Sequence, residues 1–412
     1  MTRQQKLLTL NLFLLTFVLG TSEFVMVGLL TEVATDMKIA ISVAGSLISA
    51  FALSFAIGTP IFTALFSRFS KYPLILALIV VFIIGNMITA LSGSYGLLLV
   101  SRIITAVVTG VLIALAMAVA SETMPLDKRG PVISIIFTGF TVASVLGVPL
   151  GTYIGQWGGW HMSYWFTTLL GVVSLVASAA TIPRGLQGAR SSLKKQIKLF
   201  AYPRIVIAFF IPALSIGATY SVYTYLTPLL QDVLFVPARY ISLVFLLYGV
   251  VSIFSTLIGG KLAARNGLGK IPYVFLAQAV ILASLYVSTG SMVGGLVSIS
   301  FIALVVYLMN STMQLYFIDW ADQHVPEARD LASSLTSVSI NVGIAIGSTL
   351  GGFVTANIEL IDLSWSGGIV AILAALLAFI NDRFERRGAR NAYKEEDQLR
   401  GKTTKEACGS AI

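Results

Sequence analysis

Apolar runs long enough to cross a lipid bilayer recur along this chain, and that pattern excludes most folds. A bilayer core takes about 20 apolar residues in a helix. Runs of that length occupy 7–30, 42–66, 73–92, 97–121, 130–156, 162–182, 203–228, 238–262, 271–289, 292–318, 331–355 and 363–381, twelve in all. Only 11% of the residues are charged, against roughly 25% in soluble domains. The expected fold class is an all-α polytopic membrane protein with twelve transmembrane helices.

The basic residues then have a topological role. The net charge of +9 sits in short loops and a tail between apolar runs, which argues against a nucleic-acid partner. With twelve spans both termini share one side. That side collects Arg3, Lys6, Arg68, Lys71, Lys128, Arg129, Lys261, Arg265, Lys270 and Arg329, while the other has only Lys38 and Arg239. The positive-inside rule places the termini in the cytoplasm. The opening MTRQQK leads into a run too long for a signal-peptide core, so the first helix reads as uncleaved. Trp157 and Trp160 fall at the expected outer interface. SLKKQIKLF (192–200) has the pattern of a short helix lying on the inner leaflet. The single cysteine, Cys408, is in the polar tail, and His161 and His324 are far apart. No metal site or nucleotide motif is expected.

The chain divides at 183–202, a loop rich in Arg and Lys. The predicted units are an N-terminal six-helix bundle (1–182), a cytoplasmic linker (183–202), a C-terminal six-helix bundle (203–381) and a polar cytoplasmic tail (382–412). Three pairs of segments match across the halves at an offset of about 200 residues: FTALFSRFSK with GGKLAARNGLGK, GVPLG with GSTLG, and GTSE with GATY. A duplicated unit of this kind marks secondary transporters, whose site lies between the repeats near the midplane.

Several motifs carry a family resemblance over nearly the whole chain. GTSEFVMVGLLTEVATDM (20–37) is similar to the first-helix signature of bacterial sugar, arabinose and purine efflux proteins. Arg68 and Lys71 after helix two, and Arg265 and Gly267 after helix eight, fit copies of a G-x-L-x-D-R-x-G-R-K loop motif. VSRIITAVVTG (100–110) fits a fourth-helix motif with an embedded arginine. GFTVASVLGVPLGTYIG (139–155) fits the fifth-helix glycine-proline motif associated with antiporters, and NVGIAIGSTLGG (341–352) the matching pattern in helix eleven. Together they resemble the major facilitator superfamily, in its twelve-helix drug/proton antiporter branch. The resemblance implies two pseudo-symmetric six-helix bundles, alternating access and a proton gradient as the energy source with no cofactor. The loop motif's aspartate is replaced by Ser67 and Ala264, which argues against a strong charge-based latch between the halves.

Glu23 is the one acid deep in a predicted helix, and Arg102 the one deep base. A charge at a helix centre costs about 2.5–3.5 kcal/mol on insertion scales, so each is a functional candidate. Helix one runs outward and helix four inward, which places the two within about 3 Å in depth at 1.5 Å rise per residue. Both helices line the central cavity in the family that the chain resembles. A dry site favours a protonated carboxyl, and a nearby guanidinium favours the ionised form. The guanidinium itself stays charged and carries no proton. Two readings stand: Glu23 and Arg102 couple proton movement, or they form a static pair locking two helices. Direct binding of a cationic solute by Glu23 is a third.

Polar stripes at helical spacing mark substrate-facing candidates. These are Thr105 and Thr109 with Arg102 in helix four, Tyr220 and Thr224 in helix seven, Tyr307, Asn310 and Gln314 in helix ten, and Asn341 in helix eleven. Hydroxyls and amides suit a polar solute, and tyrosines a flat ring. Ser334 and Ser337 are assigned instead to interhelical hydrogen bonds. Gly147, Gly151 and Gly155 recur at four-residue intervals, as do Gly347 and Gly351 in helix eleven. Small residues at this spacing permit close helix approach, and Pro149 should bend helix five. The expectation is a seam between the halves about which they rock.

The functional expectation is a proton-coupled efflux transporter, a monomer in the bacterial inner membrane, exporting a purine base or nucleoside, a sugar or a drug. An importing symporter or uniporter is the alternative within transport. A membrane enzyme or a non-transporting receptor are the alternatives from other classes, and an enzyme would need more than one acid at the site's depth.

Overall fold

The computed structural model describes residues 1–188, 201–264, 267–325 and 329–385. Arg265, most of the linker including 192–200, and the tail from 386 with Cys408 lie outside the described residues. Twelve helices are long and apolar enough to span a membrane. In the first half these are α1 (Arg3–Gly28), α2 (Ile41–Phe66), α3 (Lys71–Leu91), α4 (Tyr95–Thr123), α5 (Lys128–Gly158) and α6 (Trp160–Thr181). In the second they are α7 (Pro203–Tyr223), α8 (Ala238–Ala263), α9 (Gly267–Ser288), α10 (Met292–His324), α11 (Ser334–Asn357) and α12 (Leu360–Glu385). Each apolar run has become one membrane span.

Local chemistry sets the helix ends. Thr2 caps α1: its hydroxyl accepts from Gln5 N at 3.2 Å while Gln5 Oε1 accepts from Thr2 N at 2.9 Å, a reciprocal capping box. Ser94 and Ser291 cap α4 and α10 in the simpler way, accepting from the backbone N–H three residues on. Gly159 alone separates α5 from α6, at φ 82°. A residue with a Cβ would be strained there. The two bundles then meet along α2 with α11 and along α5 with α8.

The glycine stripes lie elsewhere than the sequence suggested. Gly147 faces Thr21 and Gly151 faces Val25 on α1, and Gly155 faces Leu29, the residue that follows it. In the second half Gly347 meets the Gly217 backbone and Gly351 the Ser221 backbone, both on α7. The close seams therefore lie inside each bundle, α1 on α5 and α7 on α11, and not between the bundles. The reason is that a missing Cβ serves the tightest contact: in the first half it makes room for the Thr21, Val25 and Leu29 side chains, and in the second for the α7 backbone. Pro149 acts as expected of a residue without an N–H: the turn before it, Ala143–Gly147, widens into a π-turn.

Candidate functional site

Arg102 is fully buried on α4. Its Nη1 donates to the carbonyl oxygen of Ser22 at 2.8 Å and its Nη2 to that of Glu23 at 3.2 Å. The guanidinium lies over the Phe51 ring, 4.2 Å from its centroid, and 5.7 Å from that of Tyr164. The side chain thus holds Glu23 by its main chain. Each carbonyl oxygen has a second lone pair beyond the helical bond, so α1 stays helical while clamped. Ser22 is tied in a second direction, its hydroxyl donating to Asn86 Oδ1 at 2.7 Å.

The Glu23 carboxylate is left for the space between the bundles. Glu23 is 7% exposed, and its Oε2 is buried without a hydrogen-bond partner. It is the only acidic residue buried as a whole among the described residues. It lines a cavity together with Phe24 and Phe140 from the first half and Tyr220, Tyr307, Asn310 and Asn341 from the second. Tyr307 and Tyr220 stand on the same wall.

A break in α10 shapes the second-half wall. Residues 306–309 leave the helix, and the N–H of Tyr307 is taken by Ser255 Oγ of α8 at 3.0 Å. Gly259 of α8 lies directly against the Leu308 backbone, where a Cβ would not fit. Discontinuous helices at mid-depth line sites in transporters because freed backbone groups need partners there. This break sets Tyr307 and Asn310 at the wall.

Four of the eight predicted substrate residues, Tyr220, Tyr307, Asn310 and Asn341, line this cavity. The other four stand away from it. The Thr105 hydroxyl donates to Ser101 O at 2.9 Å, and its methyl packs against Gly85 of α3. Thr109 and Thr224 are buried with their hydroxyls unpartnered, and Gln314 is half-buried one turn beyond Asn310. Conversely Ser337, assigned above to interhelical bonding, is on the wall, its carbonyl accepting from Asn341 Nδ2 at 3.2 Å. Phe140, Thr141 and Ser144 are also on the wall. The signal for them was available: they adjoin Gly139, Ala143 and Gly147, and a helix whose small residues face α1 must turn its next residues elsewhere.

The cavity is closed on the side opposite the termini. There Thr227 Oγ1 donates to Val27 O at 3.0 Å, Ser49 and Ser348 share a 2.8 Å hydrogen bond, and Gln156 Nε2 donates to Ala238 O at 2.7 Å. Each of these bonds joins the two halves. The cavity extends the other way, past Thr16, Ile113, Met117 and Phe137. On the terminal face Lys71 Nζ bonds Glu122 Oε1 at 2.7 Å and Gln187 O at 2.6 Å. It holds the end of α4 and the start of the linker. Arg68 is exposed, and Gly267 abuts Thr312.

A deep acid and a cavity walled by both bundles define a solute-carrying membrane protein of two linked halves. The chain belongs to the Major Facilitator Superfamily, whose profile matches residues 12–327. It is a multi-pass transporter of small solutes and not an enzyme. It is 37% identical to the "Uncharacterized MFS-type transporter YtbD" of Bacillus subtilis (strain 168), over 91% of this chain and 95% of that one. It is 32% identical to the "Inner membrane transport protein YdhP" of Escherichia coli (strain K12), over 89% and 94%. Among solved structures it matches a bacterial homolog of the human lysosomal transporter Spinster in an inward-facing, occupied conformation. That match has TM-score 0.79 and 14% identity, over 93% of this chain and 98% of that one. It also matches a D-xylose-proton symporter with TM-score 0.71 and 17% identity, over 90% and 96%.

Proposed function

We propose that the protein is a solute/proton antiporter of the bacterial cytoplasmic membrane that exports a small organic solute by alternating access. A purine base or nucleoside, a sugar or a drug are the candidate solutes. In this reading residues 1–182 and 203–381 are the moving bundles, both termini and the 183–202 linker are cytoplasmic, and the protein works as a monomer.

The observation that carries the reading is the placement of Glu23, whose carboxylate faces the cavity while its backbone is held by Arg102. A carboxyl at the meeting point of both halves senses whichever side is open. With the terminal side open to the cytoplasm, Glu23 releases its proton and the cavity takes up solute. After the halves rock, solute leaves on the far side and Glu23 is reprotonated there. One proton moves inward as one solute moves outward, so the gradient drives export. Arg102 keeps its charge throughout and positions the carboxyl.

The test is flux in proteoliposomes under an imposed pH gradient, screening radiolabelled purines, sugars and drugs. The native protein should move one of them uphill against the proton flow. Glu23→Gln should bind that solute and lose the response to the gradient. Uphill flux persisting in Glu23→Gln would overturn the coupling role. Movement of solute in the same direction as protons would establish a symporter instead.

A further inference from the structure

A second, smaller pocket lies against Glu23, on the side away from the termini. Val27, Ile48, Phe51 and Ala52 of the first half form much of its wall. It has room for about one water molecule. Of its lining residues only Glu23 and Tyr220 are polar, one from each half. Both also line the large cavity, so they stand where the two spaces meet. The pocket adjoins the bonds that close the far side, since Val27 O accepts from Thr227 and Ser49, next to Ile48, bonds Ser348.

Glu23 Oε2 is buried and lacks a hydrogen-bond partner. A buried acceptor without a donor is costly. The Tyr220 hydroxyl both donates and accepts. A water seated between the two gives one hydrogen to Oε2 and bonds the phenol with its remaining valence. Polar partners of that kind are what hold a buried water.

We propose that a single bound water joins the ionised Glu23 carboxylate to the Tyr220 hydroxyl, and that this bridge locks the solute-free protein closed on the far side. This rests on the reading of Glu23 as the proton site and supplies the link through which its charge acts on the second half. A hydrogen bond to a carboxylate is stronger than one to a neutral carboxyl. Ionised Glu23 therefore holds the second half, and protonated Glu23 releases it. Solute entering the large cavity engages the same two residues and breaks the same bridge. The halves then rock with a proton bound or with solute bound, and stay closed with neither, as one-for-one exchange requires. The charged and titratable groups that face the Glu23 carboxyl are Arg102 from α4, which holds its main chain, Tyr220 from α7 and Tyr307 from α10. Helices α2, α5, α8 and α11 present none to either pocket.

The experiment measures the separation of the halves on the far side by pulsed electron–electron double resonance, in full-length, solute-free protein in detergent. Spin labels are attached to Ala40→Cys and Ala356→Cys, exposed positions on that side in the first and second half, in a Cys408→Ser background. Near pH 8 the otherwise native protein should give one short distance. Near pH 5 a longer distance should appear, the ratio of open to closed rising about tenfold, the difference between a charge-assisted and a neutral hydrogen bond. Tyr220→Phe removes the second-half partner and should show the longer distance at both pH values. Ala52→Val puts methyl groups in the place of the water, keeps both polar groups, and should do the same; it decides where Tyr220→Phe fails to fold. Glu23→Gln should lose the pH dependence. Native-like titration in Tyr220→Phe or in Ala52→Val would overturn the bridge and leave Glu23 as the titrating group. Native-like titration in Glu23→Gln would remove Glu23 from that role, and the proposed proton coupling would fall together with the bridge.

Discussion

Arg102 holds Ser22 through the backbone, with Nη1 2.8 Å from its carbonyl oxygen, and Nη2 reaches the next carbonyl, that of Glu23, at 3.2 Å. Two adjacent carbonyls on one helix present a planar fork of acceptors, and a guanidinium fits it. A lysine ammonium is a point donor and cannot lie flat on Phe51 while reaching both oxygens. Arg102→Lys should therefore lower the unfolding midpoint in detergent. Each lost charge-assisted bond is worth about 1.5–3 kcal/mol. Flux should fall with it, because the Glu23 carboxyl is no longer held in register. A thermal shift assay and a flux assay on the same sample check both; an unchanged midpoint would show that the clamp contributes nothing to stability.

The α1–α5 seam makes a sharper prediction about glycine. Gly151 sits where a Cβ would overlap Val25, whereas Gly260, near the end of α8, has open space around it. Gly151→Leu should destabilise by about 1–3 kcal/mol, as overpacking does. Gly260→Leu should leave the unfolding midpoint where it is. Equal effects of the two would mean that the seam yields without cost.

Tyr225 closes the far side. Its hydroxyl donates to Ser348 O at 3.0 Å and its ring end presses on Gly45 of α2. A side chain at 45 would occupy the place of the phenol. Gly45→Leu should hold the halves apart on the side opposite the termini. In a Cys408→Ser background, a cysteine at Ser49 should then react faster with a membrane-impermeant maleimide added to that side. Unchanged reactivity would show that the closure does not depend on this wedge.

The fold was legible because its strongest determinant is one-dimensional. Length and apolarity mark a span without reference to any neighbour, and all twelve runs became helices. The duplicated pattern and the basic bias needed only counting. The site was legible where a single residue broke the pattern, as Glu23 and Arg102 do. It was less so where a stripe had to be assigned a neighbour. Thr105 and Asn341 look alike in sequence, each a polar residue on a helical face. The difference between them is what stands opposite: Gly85 for Thr105, open cavity for Asn341. Likewise the spacing of Gly147, Gly151 and Gly155 announces a close approach without saying to which helix. The break at 306–309 has no local signal, since its freed N–H is satisfied by Ser255, some fifty residues away.

Glu32 lies beyond the end of α1, in a short helix Leu30–Asp36 outside the membrane spans. One carboxylate oxygen, Oε2, is buried without a partner. Burial raises its pKa above the usual carboxylate value, opposed in part by a bond from its own backbone N–H. In the unfolded chain the group ionises at its ordinary pKa, while the folded protein keeps it protonated to higher pH. Where the folded state binds the extra proton, stability falls as pH rises. The loss begins near the unfolded pKa and is complete once pH passes the raised folded value. Below both, Glu32 contributes no penalty. Glu32→Gln removes the titration and keeps the shape, so it should raise the unfolding midpoint at neutral pH and change it little at pH 4. Thermal unfolding in detergent between pH 4 and pH 8 measures the difference between native and variant. A gap that widens with pH and then levels off is expected; a gap of constant size would mean that the carboxyl acts through shape and not through its charge.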